Sequence, residues 1–158
     1  MTIIDQYQSS RVPQASKSKP QRLGIRSWLK IPFFSNNVKA GFPSPAQDYV
    51  EKTLDLNDLC IKHPSATYFV RCDGDSMIDA GIHQDDVLVV DRALSARHGD
   101  IVIASVEGEF TVKRLETKPF VQLVAMNADY QNIIPAPEQE LEVFGVVTFV
   151  IHALSTRG

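Results

Sequence analysis

The segment DIVIASVEGEFTVKRLE, residues 100–116, constrains this chain more than any other. Two arms of alternating, β-branched and aromatic residues flank Glu107-Gly108. Such an arrangement reads as a hairpin, because glycine supplies the positive φ that a tight turn demands. A chain with this hairpin needs further strands to cover it. They are legible as ATYFVRC (66–72), DVLVVD (86–91), FVQLVAM (120–126) and EVFGVVTFVIHAL (142–154). Several short strands between turn signals predict a mainly β body. Only TLDLNDLCIKH (53–63) shows helical spacing, through Leu54, Leu56, Leu59 and Cys60. One short helix is expected there, with Asp55 or Asn57 placed to cap it. There is no internal repeat and no low-complexity tract.

The part before this body differs from it. Residues 1–40 carry seven basic residues (Arg11, Lys17, Lys19, Arg22, Arg26, Lys30 and Lys39) against Asp5 alone, a charge of +6. The net charge of −3 therefore leaves −9 on residues 41–158. Residues 1–24 are polar, with Pro13 and Pro20 and no sustained period, and read as a loose arm. Residues 25–42 are apolar enough to dock on something, but Pro32 bars one long helix. Gly41, Pro43 and Pro45 then favour an extended path. No apolar run approaches the roughly 18–20 residues that span a bilayer, and the first residues lack the order of a secretory signal. A cytoplasmic protein is expected, with no membrane partner. Cys60 and Cys72, without zinc-ligand spacing, read as two free thiols.

Three features could carry chemistry. Ser76 in Gly74-Asp75-Ser76-Met77 follows directly on strand 66–72. A serine there can stand on a sharp turn with neighbouring backbone amides aimed at an oxyanion. The same tripeptide is also an ordinary turn. Lys113 sits inside an apolar hairpin arm. It could serve as a base only if desolvation lowered its pKa by roughly 3 units from about 10.4. Val87–Val90 and Ile101–Ile103 offer apolar material for that. A neutral amine could then take the proton of a serine hydroxyl. On a solvated strand face the lysine would do nothing of the kind. The third feature is Ala40-Gly41, a bond between two small residues in the proline-flanked segment, which a narrow cleft could admit as an added strand. His63, His83, His98 and His152 are rival bases, each reading more simply as a surface residue. The acidic run from Asp73 fails as a calcium loop: its fifth position is Met77 and its twelfth Gln84. No metal or cofactor is expected.

In combination these residues resemble the UmuD family of SOS mutagenesis proteins, relatives of the self-cleaving domain of the LexA repressor. AGFPSPAQDYVE is similar to the family's cleavage-site block, HPSATYFVRCDGDSMIDAGI to its nucleophile block, HGDIVIASVEGEFTVKRL to its lysine block and FGVVTFVIHAL to its closing strand. The blocks stand in order over about residues 31–154, with a spacing of 37 from Ser76 to Lys113. One departure is Ala40, where the best-known members have cysteine and LexA-type proteins have alanine. Residues 1–24 have no counterpart in these blocks.

The resemblance implies a LexA/UmuD-like peptidase fold of short twisted sheets with one short helix. The N-terminal arm, 1–40, would be removed by self-cleavage and 41–158 would be the peptidase domain. It implies Ser76 as nucleophile, Lys113 as general base, the backbone amides of Asp75 and Ser76 as oxyanion hole, and Ala40–Gly41 as the bond cut. It further implies a homodimer, stimulation by a recombinase filament on single-stranded DNA, and a cleaved product joining a Y-family polymerase in error-prone translesion synthesis. Direct sequence-specific binding to nucleic acid is not expected. An alternative is a LexA-type repressor, but forty residues containing Pro13, Pro20 and Pro32 do not readily supply a helix-turn-helix. A signal-peptidase-like enzyme acting on other proteins is a third reading, weakened by the missing membrane anchor.

Overall fold

The computed structural model describes residues 31–34, 40–41 and 50–155. The expected arm of residues 1–24 lies outside them. The chain divides into two units, Met1–Asp55 and Leu56–Gly158.

In the first unit β1 (Ile31–Phe34) pairs antiparallel with β2 (Val50–Leu54). Pro32, which excludes a long helix, is at home in this two-stranded ribbon opposite Thr53. Every strand of such a ribbon is an edge, where a missing N–H can be tolerated. Thr53 and Leu54 thus close a strand, and the short helix α1 is confined to Leu56–Cys60. Leu56 and Leu59 of α1 are exposed, so its leucine spacing marks no core face within the described residues.

The second unit is built on a six-stranded antiparallel sheet. Its strands are β3 (Thr67–Arg71), β4 (Val87–Asp91), β5 (Ile101–Val106), β6 (Glu109–Glu116), β7 (Gln122–Val124) and β8 (Leu141–Ile151), in the spatial order β3-β4-β8-β5-β6-β7. The hairpin β5–β6 turns at Glu107 and Gly108 with φ of 51° and 83°. Two consecutive positive φ values are the requirement of a type I′ turn, whose twist matches that of the strands. FVQLVAM shortens to the three residues of β7.

The last strand, β8, runs between β4 and β5 and holds the sheet together. Bulges at Val89/Val90 and at Ile103/Ala104 adjust its register on either side. Between them lies Gly145, where a Cβ would meet Val90 Cγ1 at 2.8 Å and the Asp91 carbonyl oxygen at 3.1 Å. Only glycine fits that crossing without displacement. Alternation along β5 divides the core in two. Ile103 joins Cys72, Met77, Ile82, Leu88 and Val90 in one cluster. Val102 and Ala104 join Leu115, Leu123 and Val146 in the other. Within the described residues the chain is mainly β with a single short α-helix, as its sequence predicts.

Candidate active site

The ladder between β3 and β4 continues past Arg71: the Cys72 amide donates to the Asp86 carbonyl at 2.8 Å, and the Asp85 amide to the Cys72 carbonyl at 3.0 Å. The chain then leaves the sheet through Asp73-Gly74-Asp75-Ser76. Gly74 has φ of 94°, a conformation that a side chain would strain. Its N–H donates to the side-chain oxygen of Gln84, whose Nε2 donates to Asp73 Oδ1 at 3.2 Å.

Past Ser76 the turn is pinned from below and from the side. Met77 and Ile82 are fully buried, each contributing about 1.5–3 kcal/mol of apolar burial. The Ser76 carbonyl accepts from the Met126 amide at 2.9 Å, and the Asp75 carbonyl from Asn127 Nδ2 at 3.1 Å. Tyr130 donates its hydroxyl to Asp75 Oδ1 at 2.5 Å, and that bond pushes the phenol's pKa up. Ser76 itself remains partly exposed.

Lys113 comes from β6. Its ladder partner is Val102, which has no exposed surface, and Lys113 itself is only 7% exposed. Burial holds its pKa below the usual lysine value, while the Cys72 sulfur acts weakly in the other direction. Lys113 Nζ lies 2.8 Å from Ser76 Oγ, 3.0 Å from Thr111 Oγ1 and 3.0 Å from the Val112 carbonyl oxygen. A carbonyl can only accept. In the neutral amine, two N–H bonds can point to Val112 and Thr111, which leaves the lone pair facing the Ser76 hydroxyl. Thr111 precedes Lys113 by two, so both side chains stand on one face of β6. The sequence reading passed over Thr111; its place two positions before a strand lysine was the signal available.

Three of the four rival bases are engaged elsewhere. His63 Nδ1 is 2.6 Å from Asp91 Oδ2, and His152 Nδ1 is 2.5 Å from Asp86 Oδ1. His98 Nδ1 accepts from the Thr117 amide at 3.0 Å. Among the described residues no histidine is hydrogen-bonded to Ser76. Cys72 is buried, and burial followed by the Asp86 charge raises its thiol pKa, which leaves it protonated and inert. Ala40 and Gly41, in the first unit, are exposed at a bend.

A buried lysine amine against a serine hydroxyl on a glycine turn is chemically able to activate that hydroxyl, as in the class of serine hydrolases that dispense with histidine. Comparison with known proteins narrows this class: residues 32–148 match the family described as Peptidase S24-like, and the chain belongs to that family. It is 53% identical over 121 residues to Protein SamA of Salmonella typhimurium, covering 77% of this chain and 84% of that protein. It is 52% identical over 119 residues to Protein MucA of Escherichia coli, covering 75% and 82%. The LexA repressor of Shewanella woodyi is 43% identical over 116 residues, which cover 72% of this chain but 56% of the repressor. The resemblance to UmuD-type proteins holds over most of the chain. Among the described residues no helix is long and apolar enough to cross a membrane.

Proposed function

We propose that this chain is a self-cleaving serine peptidase that cuts its own Ala40–Gly41 bond in the SOS response to DNA damage. The observation carrying this reading is the 2.8 Å contact between buried Lys113 and Ser76. Neutral Lys113 takes the Ser76 hydroxyl proton as Oγ attacks the Ala40 carbonyl carbon. The amides of Asp75 and Ser76, which donate to no acceptor among the described residues, receive the oxyanion. Collapse of the tetrahedral intermediate breaks the bond to the Gly41 nitrogen, and that nitrogen takes the proton from Lys113. The Ser76 ester is then hydrolysed by a water that Lys113 deprotonates. This releases the Ala40 carboxylate and restores the serine.

Cutting there would part the +6 segment from the −9 body, changing what the body can bind. On this reading the protein is cytoplasmic and homodimeric. A recombinase filament on single-stranded DNA stimulates the cut. The product serves a Y-family polymerase as accessory subunit in error-prone translesion synthesis. Phe69 on β3 and Phe149 on β8, both opposite Val89 in register and both exposed, supply apolar surface for self-association. Incubation with a purified recombinase filament, followed by intact-mass measurement, tests the proposal. Faster appearance of a fragment beginning at Gly41 is expected; an uncut chain, or a cut at another bond, contradicts it.

A further inference from the structure

The pairing of β4 with β8 brings together three side chains that the peptidase chemistry does not use. Val87 faces Ile151 in that ladder, so Asp86 and His152, the next residues outward, meet at its end. His83 lies three residues before Asp86, in the turn closed by the Asp86 amide on the His83 carbonyl. Asp86 is buried, only 3% of it exposed. His152 Nδ1 is 2.5 Å from Asp86 Oδ1, and His83 Nδ1 is 3.7 Å from Asp86 Oδ2. One ligand atom from each of the three lies within 4.8 Å of the others.

Two details distinguish this cluster from an ordinary hydrogen-bonded pair. His83 Nδ1 is enclosed and has no hydrogen-bond partner among the described residues, although it points to a carboxylate. Native proteins rarely leave such an atom unsatisfied without a reason. Second, the His83 backbone N–H already donates to Asp86 Oδ2 at 2.8 Å. That bond orients the carboxylate and leaves Oδ1 for an ion, as outer contacts do around metal ligands. Ligand atoms about 2.0–2.2 Å from a tetrahedral zinc stand roughly 3.3 Å apart. One ligand atom from each residue already lies within 4.8 Å of the others, so modest side-chain shifts reach this spacing, and the His152–Asp86 contact opens when an ion replaces the shared proton. The side chains of His83 and His152 are 44% and 40% exposed, so an ion can enter and water can complete the shell.

We propose that His83, Asp86 and His152 form a binding site for a divalent transition-metal ion of the zinc class, with water as the fourth ligand. Two imidazoles and one carboxylate suit zinc, cobalt or nickel, not calcium or magnesium, which want oxygen throughout. The ion would tie the end of β8 to the turn 83–86. Gln84 of that turn holds Gly74 and Asp73, so the ion would also stiffen the support of the Ser76 turn. The proposal stands apart from the peptidase reading, since neither Ser76 nor Lys113 is a ligand.

Calorimetric titration of the full chain with zinc chloride at pH 7.5 tests it, alongside His83→Ala, His152→Ala and the control His98→Ala. One ion per chain is expected, with affinity falling at least about tenfold in the first two variants and unchanged in the third. Absence of zinc binding in the wild type, or undiminished binding in both cluster variants, overturns it. X-ray absorption of the zinc-loaded wild-type chain gives a readout independent of variant folding: two imidazole ligands support the site, and one or none contradicts it.

Discussion

Lys113 and Val102 face each other across the β5–β6 ladder, and this pairing sets the lysine opposite a residue with no exposed surface, where Lys113 is itself buried. A lysine there loses the water that stabilises its charge. Its neutral form is favoured, and the neutral form is the one that can accept a proton.

The pH dependence of self-cleavage follows from this. Burial lowers the Lys113 pKa from its ordinary 10.5, so the neutral fraction grows as pH rises and saturates above the lowered value. Cleavage should accelerate with pH, with a midpoint below 10.5. Rates from gels across that range check it. Lys113→Ala should lose about 10²–10⁴-fold of the rate at neutral pH, the usual worth of a positioned general base.

Thr111 should act as a positioning residue. Thr111→Val keeps the β-branched shape but removes the oxygen that receives a Lys113 N–H. The loss of one such bond, about 1–1.5 kcal/mol, corresponds to roughly a tenfold slower plateau rate. The same oxygen favours the ammonium, so the midpoint of the pH profile should also move down. Thr111→Ser should restore both. A slower rate with an unmoved midpoint would mean a structural effect only.

Gly145→Ala should destabilise the second unit. The added methyl would stand 2.8 Å from Val90 Cγ1 and 3.1 Å from a backbone oxygen, where little can yield. A cost of about 1–3 kcal/mol is expected, visible as a lower urea midpoint with an unchanged slope.

Buried Asp91 should contribute to acid sensitivity. Burial alone would raise its pKa, but the His63 hydrogen bond and the Ala93 amide outweigh this and lower it below 3.8. The unfolded state therefore binds the proton first as pH falls. The stabilisation is present above about 3.8 and disappears as pH drops through the lowered native value. Thermal midpoints against pH should fall steeply there in the wild type and less steeply in Asp91→Asn.

Local features of the sequence foretold the sheet. Glu107-Gly108 announced its hairpin, and β-branched runs announced β3, β4 and β8, because those signals are set by neighbours along the chain. The ribbon β1–β2 was not legible: Pro32 reads as a breaker until an edge strand is known to hold it, and Thr53 and Leu54 share the helical spacing of the leucines after them. Ser76 and Lys113 could be nominated from residue type, yet the contact between them depends on how β6 passes the 73–76 turn. The contributions of Val112 and Tyr130, and the meeting of His152 with Asp86 across 66 positions, depend on register and became visible only with the fold.

The central claim is that Lys113, once neutral, activates Ser76 against the Ala40–Gly41 bond. Intact-mass measurement of the purified chain held at about pH 10, near the ordinary lysine pKa, tests it most directly. Two fragments are predicted for the wild type, the larger beginning at Gly41, with none from Ser76→Ala or Lys113→Ala. A wild-type chain that stays whole, or a Ser76→Ala chain that is cut at the same bond, would contradict the account.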